Sequence, residues 1–434
     1  MYGSTALVTT FFAIASLAAT HAHPAPSDWY HEPDSPVASL FVKRAPSPDD
    51  PNFASNYPPG WQTPPASSLP KAWTDKLASI QMPDIQPSQP NNGYPTYTGN
   101  EKGGDDHICS FTYECTTKDD LVAPPDGILA LNFDDGPSAS SPALNDFLAK
   151  NNMSDKATHF MIGGSILGNP KGMQATAQAG GHIAVHTWSH QYTTTLSNEQ
   201  VLGELGWTMQ IISDLNGGRI PKYWRPPFGD VDNRVRAIAN GVFGLKTVPW
   251  SHDSGDWALS TGQYTRQQID DSMNGWLTGS KSPGLNILEH ELNDNSTSIF
   301  FENFPKMVSN GWNIMSIADA WGLDWYQNSK SNTADVVSME VAGGPVSAAL
   351  LNASSAVSSS QGASSTEAAS ASSASSSVQS QTSASTTSTT SASAVPSAGV
   401  AGAALSPSQT GGASAMAQPG LFLALFGVVG AVLL

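Results

Sequence analysis

From about Leu121 to Asp324, short apolar runs alternate with longer stretches of helical spacing, and this alternation restricts the fold more than any other feature of the chain. The strand-like runs are Ile128–Phe133, Thr158–Ile162, His182–Val185, Tyr223–Arg225, Leu245–Trp250, Leu285–Leu288 and Asn313–Ser316. Between them, Ser141–Lys150 places Leu144, Phe147 and Leu148 at helical spacing. Ser197–Leu215 opens on Ser197 with Gln200 three residues later, the pattern of a capping box. Thr265–Leu277 and Ser298–Asn310 read as later helices. Strands that alternate with helices build a parallel sheet with helices outside. About seven such strands predict an α/β fold, a distorted (β/α) barrel short of the usual eight strands. Its strand C-termini would gather at one rim.

The flanks differ in composition. Residues 1–22 carry an apolar stretch (Ala6, Leu7, Val8, Phe11, Phe12, Ala13, Ile14, Leu17) followed by small residues, as in a secretory signal. Residues 23–104 are rich in Pro, Ser, Asn and Gln and read as an irregular, pro-like segment, with a possible processing site at Lys43-Arg44. The α/β domain is assigned to 105–328. Residues 329–410 lose all periodicity and become Ser-, Thr- and Ala-rich. Such a stretch cannot bury a core and reads as a disordered, O-glycosylated stalk. At 411–434, small residues, a short uncharged spacer and an apolar end match a GPI-attachment signal, removed on joining the lipid at Gly411 or Gly412. These signals predict a secreted chain tethered by a GPI lipid to the cell membrane, or held in the wall.

Cys109 and Cys115 would pair in a secreted protein. Asn152, Asn295 and Asn352 head N-glycosylation sequons. Asp and Glu number 36 against 19 Lys and Arg, a net charge of -17 without a basic patch, which argues against nucleic acid and against anionic lipid headgroups as partners.

Chemistry concentrates at the strand ends. Asn132-Phe133-Asp134-Asp135-Gly136-Pro137 closes the first apolar run with two adjacent carboxylates. A regular strand would aim them apart, so a bend is needed for both to border one cavity. Alone, the pair reads more readily as a strand ending in an Asp-Gly turn. His186-Thr187-Trp188-Ser189-His190 sets two imidazoles at i and i+4, which on a helical turn would face one metal. Thr187 rules out the H-E-x-x-H of a metalloprotease. Two histidines with one carboxylate form a catalytic metal site with room for water. Arg225, in Arg225-Pro226-Pro227-Phe228-Gly229, could orient a carboxylate by a bidentate contact, and the Phe228 N–H could face an oxyanion. His290, beside a carboxylate, could stay protonated as a general acid, and Trp257 offers a flat apolar face.

The ordered set F-D-D-G-P, H-T-x-x-H, R-P-P-F-G, D-x-x-D-W and L-x-H resembles the polysaccharide deacetylases, carbohydrate esterase family four, and with the flanking signals most resembles the fungal chitin deacetylases. The resemblance spans about Cys109 to Trp325. It implies that Asp134 is the general base and that Asp135, His186 and His190 bind one divalent ion, zinc first and cobalt as a possibility. Arg225 would orient Asp134. His290 would be the general acid, tuned by Asp256. The Phe228 amide would stabilise the oxyanion, and Leu288 and Trp257 would line the acetyl and sugar pocket. Asn132 stands where Thr is common in the family and is expected to matter little. The implied activity is metal-dependent removal of N-acetyl groups from chitin or chito-oligosaccharides, among cell-wall glycans. Deacetylation of acetylxylan or short oligomers, and a non-catalytic glycan-binding mannoprotein, are the competing readings.

Overall fold

The computed structural model describes residues 47–91 and 94–336. The signal, Lys43-Arg44, Asn352, most of the stalk and the lipid site lie outside the described residues.

The first apolar run forms two strands, β1 (Ile128–Ala130) and β2 (Asn132–Gly136). The later strands are β3 (Thr158–Met161), β4 (His182–Val185), β5 (Tyr223–Trp224), β6 (Lys246–Thr247), β7 (His252–Asp253), β8 (Ile287–Leu288) and β9 (Asn313–Met315). All their pairings are parallel: β2-β3-β4-β5-β6, β1-β9 and β7-β8. The ring closes through the backbone. The N–H groups of Ala130 and Asp134 donate to the carbonyls of Leu285 and Glu289 at 2.8 and 2.9 Å, and those of Leu285 and Glu291 return to Ile128 and Asp134 at 2.9 and 3.0 Å. The result is the expected distorted barrel. Regular pairing stops early where proline intervenes. Pro226 and Pro227 follow β5, and Pro249 interrupts the run after β6, because proline has no N–H to donate.

Helices cover the outside. The fold opens with α1 (Lys71–Ser79), and α2 (Ser141–Lys150) follows β2. Then come α3 (Gly163–Gly168), α4 (Pro170–Ala179), α5 (Asn198–Leu215), α6 (Asn233–Phe243), α7 (Arg266–Thr278), α8 (Asp294–Ser309) and α9 (Ile317–Ala320). Ser197 and Gln200 form both bonds of the predicted capping box at α5. α8 begins four residues before Ser298, because the Asn293 side chain accepts from the N–H groups of Asn295 and Ser296.

Strand alternation divides the core. Leu129, Leu131 and Phe133 face the helices, where Phe133 meets Phe300 edge-on at 4.9 Å. Ala130 packs with Phe160, Ala184, Tyr223 and Val248 in a separate cluster that fills the barrel. Asn132 and Asp134 share the parity of Ala130 and are buried, so polar groups enter a lumen that must supply their partners.

The segment before the barrel is irregular apart from α1 and short 3-10 turns, yet it is built into the same core. Trp73 of α1 is fully buried against Trp207 and Phe243, at 5.5 and 5.6 Å. Gly206 of α5 makes room, since a Cβ there would lie 2.4 Å from the Trp73 ring. At the other end, Arg219 Nε and Nη2 donate to the carbonyls of Ser331 and Ala334 at 3.1 and 2.8 Å. Cys109 and Cys115 form the expected disulfide, with Cα atoms 4.9 Å apart. Asn152 and Asn295 are both exposed.

Candidate active site

The bend that brings two adjacent carboxylates to one cavity lies at Asp135. Its φ is +73°, and the β2–β3 register shifts between Asp134 and Gly136. Aspartate tolerates the left-handed conformation better than most residues. Gly136 must lack a side chain, because a Cβ would fall 2.3 Å from Glu291 Oε1. That buried carboxylate pairs with His159 Nδ1 of β3 at 2.8 Å and accepts from the Ser141 hydroxyl at the start of α2, tying the chain after β8 to both elements.

The imidazoles meet by a different route from the one expected. β4 ends at Val185, and His186–His190 is no helical turn. Thr187 and His190 both have positive φ, 61° and 57°. The loop is held from below by Glu204 of α5. Glu204 Oε2 accepts from the N–H groups of Trp188 and Ser189, each at 2.8 Å, and Oε1 accepts from the Ser189 hydroxyl. Asp135 Oδ1 lies 3.3 Å from Nε2 of both His186 and His190. Burial opposes ionisation of Asp135, but the facing His190 and His186 outweigh it and hold the carboxyl well below the usual range.

These three side chains fit a divalent metal. Their ligand atoms lie within 4.8 Å of one another. Asp135 Oδ1 is buried and has no hydrogen-bond partner among the described residues. His186 Nδ1 lies 2.8 Å from the Arg225 carbonyl, which only accepts. The proton therefore sits on Nδ1 and the Nε2 lone pair turns inward, as a ligating histidine requires.

Arg225 is fully buried beside this cluster. Nη1 donates to Asp134 Oδ1 at 2.8 Å and to Asn132 Oδ1, Nη2 donates to Asn286 Oδ1 at 3.0 Å, and Nε donates to the Val248 carbonyl at 3.0 Å. Its grip on Asp134 is a single bond, not the bidentate pair expected. The second arm reaches Asn286, which also accepts from Asn132 Nδ2 at 3.0 Å and donates to Pro249 O at 2.8 Å. Asn132, the position expected to matter little, is one of the groups that hold Arg225. The guanidinium also stands over the Phe160 ring, 4.4 Å from its centroid.

His290 sits across the strand pair from Asp134. Asp256 accepts from its backbone N–H and from its Nδ1, each at 2.7 Å. Burial alone would lower the imidazole pKa, but the Asp256 carboxylate, with Asp135 and Asp134, raises it to about 10. Leu288 is buried in β8, two residues from His290 on the same strand face. Trp257 is partly exposed and donates Nε1–H to Asp253 Oδ1 at 3.3 Å, edge-on to Tyr264. Phe228 lies in the left-handed region, φ 58°, with its half-exposed ring stacked on Tyr192 at 4.2 Å and edge-on to His190 at 4.6 Å.

This arrangement can be set beside known proteins. Residues 122–247 match the polysaccharide deacetylase family. A chitin deacetylase 3 of Cryptococcus neoformans var. neoformans is 51% identical over 347 residues, covering 79% of this chain and 84% of that protein. The chain belongs to the polysaccharide deacetylase family. A chitin deacetylase 2 of Cryptococcus neoformans var. grubii is 39% identical over 62% of each chain. The solved chitin deacetylase of Colletotrichum lindemuthianum is 21% identical and covers 48% of this chain and 94% of its own, with a TM-score of 0.43.

In this deacetylase domain, sequence reasoning missed Asn286 and Glu204. Asn286 sits two residues before Leu288 in a run otherwise apolar, and a buried amide there needs partners. Glu204 lies among Val201, Leu202 and Leu205, all buried, where an acidic side chain must have a specific acceptor role.

Proposed function

We propose that this chain hydrolyses the N-acetyl groups of chitin, giving acetate and glucosamine units. The observation that carries this is the buried Asp135 Oδ1, without a hydrogen-bond partner among the described residues and facing two imidazole Nε2 atoms, with Asp134 beside it on β2 and the His290–Asp256 pair bridged to Asp134. A divalent ion held by Asp135, His186 and His190, zinc as first choice and cobalt second, supplies Lewis acidity toward water and the acetyl carbonyl. Asp134, aimed by Arg225 Nη1, accepts the proton of the attacking water. The new C–O bond forms as the carbonyl electrons move to oxygen, where the Phe228 N–H is the chain's own donor to the negative charge. His290, kept protonated by Asp256, delivers its proton to the nitrogen as the C–N bond breaks. Leu288 lines the space for the acetyl methyl, and Trp257 offers an apolar face to the sugar.

The test uses the full chain. Metal is stripped with a chelator and restored, and acetate is followed from chito-oligosaccharides and from acetylxylan. Acetate from the first, dependent on restored metal, supports the reading. Release from acetylxylan alone, or from neither, overturns it.

The chain is also proposed to be secreted and held by a GPI lipid among cell-wall glycans. The Cys109–Cys115 disulfide supports an oxidising compartment. Release of the protein from cells by a phosphatidylinositol-specific phospholipase would support the lipid, and retention after that treatment would count against it.

A further inference from the structure

The N-terminal segment does more than fill the core. Tyr57–Pro64 is latched to the loop that carries His186 and His190 at several points. Trp188 Nε1–H donates to the Pro59 carbonyl at 2.9 Å, and the Trp188 ring stacks on Tyr57 at 6.2 Å. The hydroxyls of Thr63 and Ser189 lie 3.4 Å apart. Pro64 presses on α5, where a Cβ on Gly203 would touch it at 3.0 Å. Gly164 is equally tight against the strap, since a Cβ there would stand 2.9 Å from the Trp61 nitrogen and 3.3 Å from its indole. Trp61 itself has φ +61°, in the left-handed region.

The backbone of Trp61 is closely packed, whereas its indole is 58% exposed. It is exposed in a particular place. Trp61 lines the cleft of about 420 Å³ that also includes Asp135 and His190, with Ser138, Ser165 and the exposed Leu292 among its other walls. That volume is within the range of small-ligand clefts, roughly 300–1,000 Å³. Indole combines a broad apolar face with a polar edge, which suits the C–H face of a pyranose ring with its rim of hydroxyls. The Ser138 and Ser165 hydroxyls beside it are neutral donors and acceptors, appropriate to an uncharged sugar.

We propose that Trp61 is a sugar-stacking platform, supplied by the N-terminal segment, for a residue of the substrate chain next to the unit being deacetylated. This rests on the deacetylase reading above and adds a chain-length preference to it. Trp61 lies outside every motif that suggested the active site, so the strap, not the barrel, sets this part of the specificity.

The test compares wild type with Trp61→Ala and Trp61→Phe in the full, metal-loaded chain, with acetate release measured from single N-acetylglucosamine, which has no neighbouring unit, and from chitohexaose. Trp61→Ala is expected to raise the KM for chitohexaose at least fivefold with kcat largely kept, to leave that for the monomer nearly unchanged, and to melt at the wild-type temperature. Trp61→Phe, which keeps a flat ring, should recover most of the loss. An unchanged KM for chitohexaose, an equal loss on both lengths, or a fall in kcat alone overturns the assignment of Trp61 while leaving the deacetylase reading intact. A wild-type chain that releases no acetate from either substrate overturns both.

Discussion

Asp256 holds His290 at two points, accepting from its backbone N–H and its Nδ1 at 2.7 Å each. One carboxylate therefore fixes where the imidazole points and which nitrogen carries the proton toward it. Together with Asp135 and Asp134 it also raises the imidazole pKa to about 10 against the effect of burial. A raised folded-state value means that the pair contributes full stability below the ordinary imidazole pKa of 6.5 and loses that contribution as pH rises through about 10. His290, the proposed general acid, is likewise protonated across neutral pH. Asp256→Asn keeps the shape and removes the charge. The alkaline limb of kcat/KM should then move down in pH by more than one unit, toward or below 6.5. A pH–rate profile checks this, and an unmoved alkaline limb would show that another group sets it.

Asp134 and Asp135 are neighbours in sequence with separate duties. Asp134 Oδ1 is taken by Arg225, whereas Asp135 Oδ1 faces both imidazoles. Asp134→Asn should lower kcat by about 10²- to 10⁴-fold, the usual worth of a positioned base, with the metal-to-protein ratio unchanged by mass spectrometry. His186→Ala should instead lose the metal together with activity. An Asp134→Asn chain of wild-type rate would remove the aspartate from the base role.

Asn286 joins the scaffold of the base to the backbone. Its Oδ1 accepts from Arg225 and Asn132, and its Nδ2 donates to the Pro249 carbonyl. Asn286→Ala leaves buried donors without acceptors, at about 1–3 kcal/mol for each such group. Asn132→Thr still offers an oxygen to Arg225 Nη1 and should cost less. Urea unfolding compares the two directly, and the larger loss in kcat should accompany Asn286→Ala. Equal stability for both variants would mean that the amide network is not what holds Arg225.

The barrel was legible because its strands are short apolar runs with a turn or proline after each, and the capping residues of α5 mark its start. The chemistry was legible because acids, imidazoles and Arg225 fall at strand ends, where the fold places its rim. What escaped depends on backbone conformations that sequence periodicity does not encode. The His186–His190 spacing suggests a helical turn, but Thr187 and His190 take left-handed values, so a loop brings the rings together. Arg225 was expected to spend both arms on a carboxylate, and the amides that take its second arm, Asn132 and Asn286, are distant in sequence and carry no motif. The N-terminal segment looked irregular because its contribution is made by single large residues, Phe53, Tyr57 and Trp73, without a repeating period.

A loop with two left-handed residues needs a reason to stay in place, and Glu204 provides one. It sits on α5, the longest helix among the described residues, and its Oε2 accepts the N–H groups of Trp188 and Ser189 between His186 and His190, the two proposed ligands. Glu204→Ala suits the helix but strands both N–H groups in a buried setting. The loop should then sample other conformations, and His190, the more exposed of the two ligands, should lose its position first. Groups that orient metal ligands typically account for about 10- to 100-fold in affinity, and a loss of that size is expected in chelator competition. Glu204→Gln keeps one carbonyl acceptor toward the loop and should fall between wild type and Glu204→Ala. Melting with and without added metal separates the two possible effects: a loop defect reduces the stabilisation gained from metal, whereas a general packing defect lowers both curves equally and would deny Glu204 its anchoring role.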